Sequence, residues 1–277
     1  MPRIFLISLI LLSFIVSAAA QKRVVPIVYL TTVESGGSVE INDGNLLGGL
    51  ENGQYLDAKT TFARLKGDEK YLLFNFADGK KGVFSLGEIR KGGIMCPENY
   101  FVSPKLNVSA DFAVGANARW EVVTRQPKAV SAKNAKYKKA VADVLRLRGL
   151  AKSPVKIEKA YRVDLDGDGV DEVLLAASHY IAATGEEAKA GSYSFLMIQK
   201  TVGGKVRNLF VGGNFVKKSS GYFDGDYWLL GVADLNGDRQ MEIFVQVAGY
   251  EENWLKVYQL KAGKPSEIKA LSNYCGL

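Results

Sequence analysis

Histidine and cysteine are nearly missing from this chain of 277 residues: His179 stands alone, and Cys96 and Cys275 are the whole thiol complement. A four-ligand zinc cage would therefore need carboxylates whose positions nothing in the chain specifies. Ser178 lies beside His179, but a catalytic triad needs converging geometry and an orienting carboxylate, and adjacency supplies neither. No G-x-S-x-G elbow, P-loop or H-E-x-x-H helix occurs, which removes the commonest hydrolase, nucleotide-binding and zinc-protease signatures. Paired carboxylates for glycoside hydrolysis stay open, because their separation of ~5 to 9 Å is set by the fold and not by spacing.

Long apolar runs are also absent after residue 20, so no segment there is long enough to span a bilayer as a helix. Residues 1–20 combine Arg3, an apolar run over 4–16 and Ala18-Ala19-Ala20 before Gln21. That pattern reads as a cleaved secretory signal, and the expected product is secreted or periplasmic. In such an oxidising compartment an even cysteine pair is expected to form a disulfide, here Cys96 with Cys275. Asn107-Val108-Ser109 is a glycosylation acceptor if the secretory route is eukaryotic.

Loss of Arg3 lowers the formal charge from +7 to +6. The excess is local, since residues 125–159 hold eleven Lys and Arg against Asp143 and Glu158. Peripheral contact with anionic lipid or acidic polysaccharide could follow, and a solvated helix face is the plainer alternative. Nucleic acid is not expected, as no recognition motif accompanies the charge. Within this stretch Tyr137, Ala140, Val141, Val144 and Leu145 recur at helical spacing, with Lys136, Lys139, Asp143 and Arg146 opposite. An amphipathic helix ending at Gly149 is expected.

What the chain does have is one acidic loop written twice. Asp164-Leu165-Asp166-Gly167-Asp168-Gly169-Val170-Asp171-Glu172 returns seventy residues later as Asp234-Leu235-Asn236-Gly237-Asp238-Arg239-Gln240-Met241-Glu242. Carboxylates at every second position repel one another unless a cation sits among them, and hard oxygen donors on a Gly-bearing loop suit calcium. An EF-hand would need Glu at loop position 12, where Leu175 and Val245 stand. Each loop is followed by a short apolar run, Val173-Leu174-Leu175-Ala176-Ala177 or Ile243-Phe244-Val245-Gln246-Val247, so the motif is strand, loop, strand.

These residues resemble the calcium loops of FG-GAP (integrin α-type, also VCBS) repeats, over roughly residues 155–272. The resemblance implies propeller-blade-like units and calcium held through positions 1, 3, 5, 7 and 9. Those are Asp164, Asp166, Asp168, the Val170 carbonyl and Glu172, then Asp234, Asn236, Asp238, the Gln240 carbonyl and Glu242. A protein or polysaccharide ligand is implied with them. The second copy departs where Arg239 replaces a turn glycine and Asn236 replaces a carboxylate, so the first loop is expected to be the tighter site.

A wider duplication accompanies the loops. Tyr180 aligns with Tyr250, and Gln199 aligns with Gln259 ahead of the glycine turns at 203–204 and 263. The shrinking offset points to an insertion over 182–191 in the first copy. Each unit is expected to be a four-stranded antiparallel sheet with equivalent buried residues Leu174 and Phe244. Two blades cannot close a propeller, so other structure must cover them. Residues 21–124 read as an all-β domain, with strands over 24–33, 38–41, 70–76 and 81–86 and turns at 42–44, 51–53 and 77–80.

The expected fold is thus mainly β: a signal over 1–20, an N-terminal β domain over 21–124, a basic linker with one helix over 125–152, and the repeat domain over 153–277. The expected function is an exported calcium-binding β-repeat module with a binding or structural role. The alternative is a hydrolase of envelope or extracellular polymers with its site in the N-terminal β region. A deep cleft holding two free carboxylates or His179 would favour the enzyme.

Overall fold

The computed structural model describes residues 23–276, except 36–37, 95, 124, 181–187, 219–224 and 250. The expected signal over 1–20, Tyr250 and most of the expected insertion lie outside the described residues.

The chain is mainly β, in three open antiparallel sheets. Sheet 1 contains β1 (Val25–Ser35), β2 (Ser38–Glu51), β3 (Gln54–Asp57), β4 (Tyr71–Asn75), β5 (Gly79–Phe84), β6 (Arg90–Lys91), β7 (Tyr100–Val102) and β8 (Phe112–Gly115). Its order is β5-β4-β8-β1-β2-β7-β6, with β3 on β2. A five-residue helix, α1 (Ala58–Phe62), interrupts this all-β region, started by the Asp57 carboxylate accepting from the Thr60 N–H at 2.6 Å.

The expected turn at 42–44 is not a turn. β2 runs through it, and the pairing with β1 slips there, from Thr31 opposite Asp43 to Thr32 opposite Ile41. The Asn-Asp-Gly signal was written for a β-bulge. Gly44 is needed for space, since a Cβ on it would lie 2.8 Å from Val102 and 2.9 Å from Leu30.

Sheet 2 contains β9 (Lys128–Ala129), β10 (Lys159–Val163), β11 (Glu172–His179), β12 (Tyr193–Val202) and β13 (Lys205–Phe215); sheet 3 contains β14 (Asp226–Ala233), β15 (Glu242–Ala248), β16 (Glu252–Lys261), β17 (Lys264–Glu267) and β18 (Asn273–Gly276). β10 to β13 and β14 to β17 are two four-stranded meanders, as the duplication requires. Their hairpin turns match: Gly203 and Gly204 have φ of 56° and 74°, and Ala262 and Gly263 have 50° and 70°, the two positive values of a type I′ turn.

Strand pairing shifts the alignment of the second hairpins by one residue. Val173 pairs with Gln199, whereas its equivalent Ile243 pairs with Tyr258. Gln199 therefore corresponds to Tyr258, and Lys200 to Gln259. A one-residue slip exchanges the two faces of a strand, so the pairing of Gln199 with Gln259 expected from sequence would have put inward residues outside.

Sheet 3 is the middle layer. Phe244 and Val257 face sheet 1, packing with Ile27, Phe74, Phe112 and Val114. Ile243, Val245 and Val247 face the other way, onto Leu174, Ala176, Leu196 and Ile198 of sheet 2. The run Ile-Phe-Val of β15 is continuous because both of its faces are covered. Equivalent residues keep equivalent directions: Leu174 points from sheet 2 to sheet 3, and Phe244 from sheet 3 to sheet 1. The repeats thus stack head to tail, and each buries the same face on the next layer.

The outer face of sheet 2 is closed by α2 (Ala135–Leu147). Ala140, Val141, Leu145 and Leu150 pack on Leu175, Ala177, Phe195 and Met197. Asn134 caps its start, accepting from the Lys136 N–H at 2.9 Å. Gly149, with φ of 81°, ends it, as Leu150 N–H bonds to the Leu145 carbonyl and Gly149 N–H to that of Arg146. This is the Schellman arrangement with its apolar pair of leucines. Replacing Asn134 by Ala removes the first-turn acceptor; a loss of about 1 kcal/mol is expected in urea denaturation, and an unchanged midpoint would show the cap to be idle.

Cys96 and Cys275 are paired, with Cα atoms 5.0 Å apart across 179 residues of chain, within the usual range for a disulfide. The bond joins the loop after β6 to β18, and so ties sheet 1 to sheet 3.

Candidate metal centre

Both acidic loops are held by their own carboxylates in the same way. Asp164 accepts from Gly167 and Gly169 N–H at 2.7 and 3.1 Å, and Asp234 accepts from Gly237 and Arg239 N–H at 2.7 and 2.9 Å. Asp168 and Asp238 take the N–H groups of Val170 and Gln240 at 2.8 and 2.7 Å. Glu172 and Glu242, one loop length on, reach back to the Leu165 and Leu235 N–H groups at 2.8 and 2.7 Å. Arg239 adopts φ of 67° where Gly169 has 85°, so the second loop keeps the glycine conformation without the glycine, at a cost of about 1 kcal/mol.

In the first loop Asp164, Asp166 and Glu172 each bring a carboxylate oxygen within 4.8 Å of the others. Such a set of hard oxygens could hold a metal ion. The Asp166 Oδ1 is buried without a partner. Asp168 stands outside that group, its side chain 45 % exposed. A fifth participant was not expected from the sequence: Lys200 of β12 extends its ammonium to Glu172 Oε1 at 2.6 Å, Asp166 Oδ2 at 2.7 Å and Asp168 Oδ2 at 3.3 Å. Burial works against the lysine's charge, but its hydrogen bonds to Asp166 and Glu172 outweigh that and raise its pKa. Burial raises the Glu172 carboxyl, against the pull of Lys200 and the Leu165 N–H. Asp168 is held low by the Val170 N–H and by Lys200.

The second loop has the same backbone and different company. Among the described residues no three-acid group forms there, the place of Asp166 being taken by Asn236, which turns its amide to Asp238 Oδ2 at 3.0 Å and accepts from the Asp238 N–H at 2.9 Å. Glu242 is fully buried, and its Oε1 has no hydrogen-bond partner. The Tyr55 hydroxyl from β3 lies beside it, near enough to favour the charged carboxylate but not in hydrogen-bond geometry. Burial, with the charges of Asp238 and Asp234, pushes the Glu242 carboxyl up to about 8, against the Leu235 N–H and Tyr55. Asp234 is likewise raised by burial despite three backbone donors. Among the described residues no ion pair reaches Asp234, Asp238 or Glu242. Val170 and Gln240 enter through their N–H groups.

The two loops touch. Met241 N–H donates to the Leu165 carbonyl at 2.7 Å, and Arg125 spans both, pairing with Asp164 Oδ2 at 3.2 Å and donating to the Arg239 carbonyl. Trp120 Nε1 donates to the Asp234 carbonyl at 2.9 Å, and Asp234 N–H to that of Val122 at 2.7 Å. The stretch before α2, read from sequence as the end of one domain and the start of a linker, is the bed on which the second loop lies.

His179 is the last residue of β11, tilted against Tyr193 with ring centroids 6.1 Å apart, and its pKa is lowered by burial and by Lys156. Ser178 Oγ meets Asp226 at 3.3 Å, not the histidine. In the N-terminal region a 470 Å³ groove carries Glu51, Asp68 and Glu69. Glu51 is paired with Arg64, and Glu69 accepts from the Lys66 and Gly67 N–H groups at 2.6 and 2.9 Å, so these two acids hold the surface together. The chain matches no family model, no curated protein and no solved structure.

Proposed function

We propose that this chain is an exported, calcium-stabilised β-repeat protein that acts as a binding or structural module. The observation that carries the reading is the acidic strand-loop-strand unit itself, present twice with one hydrogen-bond pattern. Calcium would supply positive charge among oxygens that otherwise repel, and the glycine-bearing loops would orient those oxygens. The head-to-tail stacking of sheets 2 and 3 supports reading them as FG-GAP-like blades, with sheet 1 and α2 as the covers that two blades need. The Cys96–Cys275 pair supports an oxidising compartment, where millimolar calcium matches the ~10⁻⁴ to 10⁻³ M affinities of extracellular modules. A protein or polysaccharide partner rests on the resemblance alone. The hydrolase alternative needs two free acids in a cleft, and in the N-terminal groove the engagement of Glu51 and Glu69 leaves Asp68 alone.

Thermal melting in calcium and in chelator tests this. At ten times the dissociation constant, one site should add about 1.4 kcal/mol, a rise of roughly 3 to 5 °C for a chain of this size. Equal melting temperatures in both buffers would remove the calcium reading.

A further inference from the structure

The two loops share a backbone and differ in what neutralises them. Lys200 Nζ lies 2.6 Å from Glu172 Oε1 and 2.7 Å from Asp166 Oδ2 with its side chain only 8 % exposed. Those are the oxygens that a calcium in this loop would take at about 2.3 to 2.6 Å. An ion sharing them would sit within about 5 Å of the ammonium and be repelled by it in a partly desolvated site. Lys200 pairs with Arg207 near the turn end of the β12–β13 hairpin, yet its side chain is buried, so the head cannot leave without giving up its buried path. Arg125 meets the remaining acid, Asp164.

The corresponding position in the second repeat holds Gln259, a neutral amide. There the buried Glu242 keeps one oxygen without a partner, and no Lys or Arg pairs with Asp234, Asp238 or Glu242 among the described residues. The unmet demand for a cation is in this loop.

We infer that the Lys200 ammonium is the resident cation of the first loop, doing there what calcium does in related loops, and that calcium binding by this chain falls to the second loop. The inference rests on the calcium reading above. It also reverses the order of affinities expected from sequence, in which the loop with more carboxylates binds more tightly.

Calorimetric calcium titration of the full exported chain, its Asp166→Asn variant and the reciprocal variants Lys200→Gln and Gln259→Lys tests it. The native chain should show one binding event. Asp166→Asn should leave its dissociation constant unchanged within about twofold, whereas Gln259→Lys should weaken it by about tenfold or more, since affinity follows the charge of the site. Lys200→Gln should add a second event, and combining it with Asp166→Asn should remove that event. Where Lys200→Gln folds only in calcium, or not at all, Asp166→Asn in the native background still decides. A tenfold loss of native binding on Asp166→Asn, or two events in the native chain, would overturn the inference and leave the calcium reading intact. Binding by Lys200→Gln alone would overturn the assignment to the second loop. No heat from any variant would end both.

Discussion

Phe244→Ala should lower the unfolding free energy by about 3 to 5 kcal/mol. Phe244 is fully buried, and its ring sits 5.1 Å from Phe76 and 5.4 Å from Phe112. Those partners belong to the N-terminal region, so the cavity would open between sheet 1 and sheet 3, at the seam that makes the chain one body. Collapse of the cavity is hindered on the facing side. A Cβ on Gly231 would already lie 2.1 Å from Phe76, so backbone and ring meet there without slack. Leu174→Ala, at the equivalent place one layer away, should cost about 2 to 5 kcal/mol. Urea unfolding followed by both far-ultraviolet circular dichroism and tryptophan fluorescence checks this. One shared transition moved to lower urea is expected, and separate transitions for the two probes would show that the sheets fold as independent domains.

The repeat half of the fold was legible because its signals are local. The short apolar runs that follow the glycine-bearing loops, the turns at Gly203-Gly204 and Gly263, and the stripe of Tyr137, Ala140, Val141, Val144 and Leu145 each depend on residues a few positions apart. They gave the two meanders and α2 with its Gly149 stop. Sheet 1 was harder, since its strands pair far from their sequence neighbours: β8 lies between β1 and β4, and β7 lies beside β2. No local pattern encodes such partners. The same limit explains the bulge at Asn42, because Asn-Asp-Gly describes a backbone that bends and says nothing of whether the strand resumes.

At the site, sequence named the acids and missed the cation. Asp164, Asp166 and Glu172 do converge, whereas Lys200, Arg125 and Tyr55 arrive from 28, 39 and 187 residues away from their acidic partners Glu172, Asp164 and Glu242. One signal was available. Lys200 stands two residues after the apolar run Phe195-Leu196-Met197-Ile198, on the strand face of Leu196 and Ile198, and a lysine there must snorkel out or find carboxylates. The alignment of the repeats hid the contrast, because an offset wrong by one residue set Lys200 against Leu260 and not against Gln259.

Removing the disulfide should be the other large loss. Cys96→Ser with Cys275→Ser opens a loop of 179 residues, and the chain-entropy account then gives up to roughly 5 kcal/mol, with measured losses in small exported domains of about 2 to 5 kcal/mol. Most of that acts on the unfolded chain, which expands once the tie is cut. The double variant should therefore unfold at lower urea and with a steeper dependence on urea than the native chain, since more surface becomes exposed on unfolding. Phe244→Ala should shift the midpoint with little change of slope, because it removes contacts from the folded state. The bond and the aromatic seam join the same two sheets by different means, one by limiting the unfolded ensemble and the other by packing. Combining them tests that division: losses that add within about 0.5 kcal/mol mean independent action, whereas a combined loss well above the sum would mean that the bond also holds the seam closed in the folded protein.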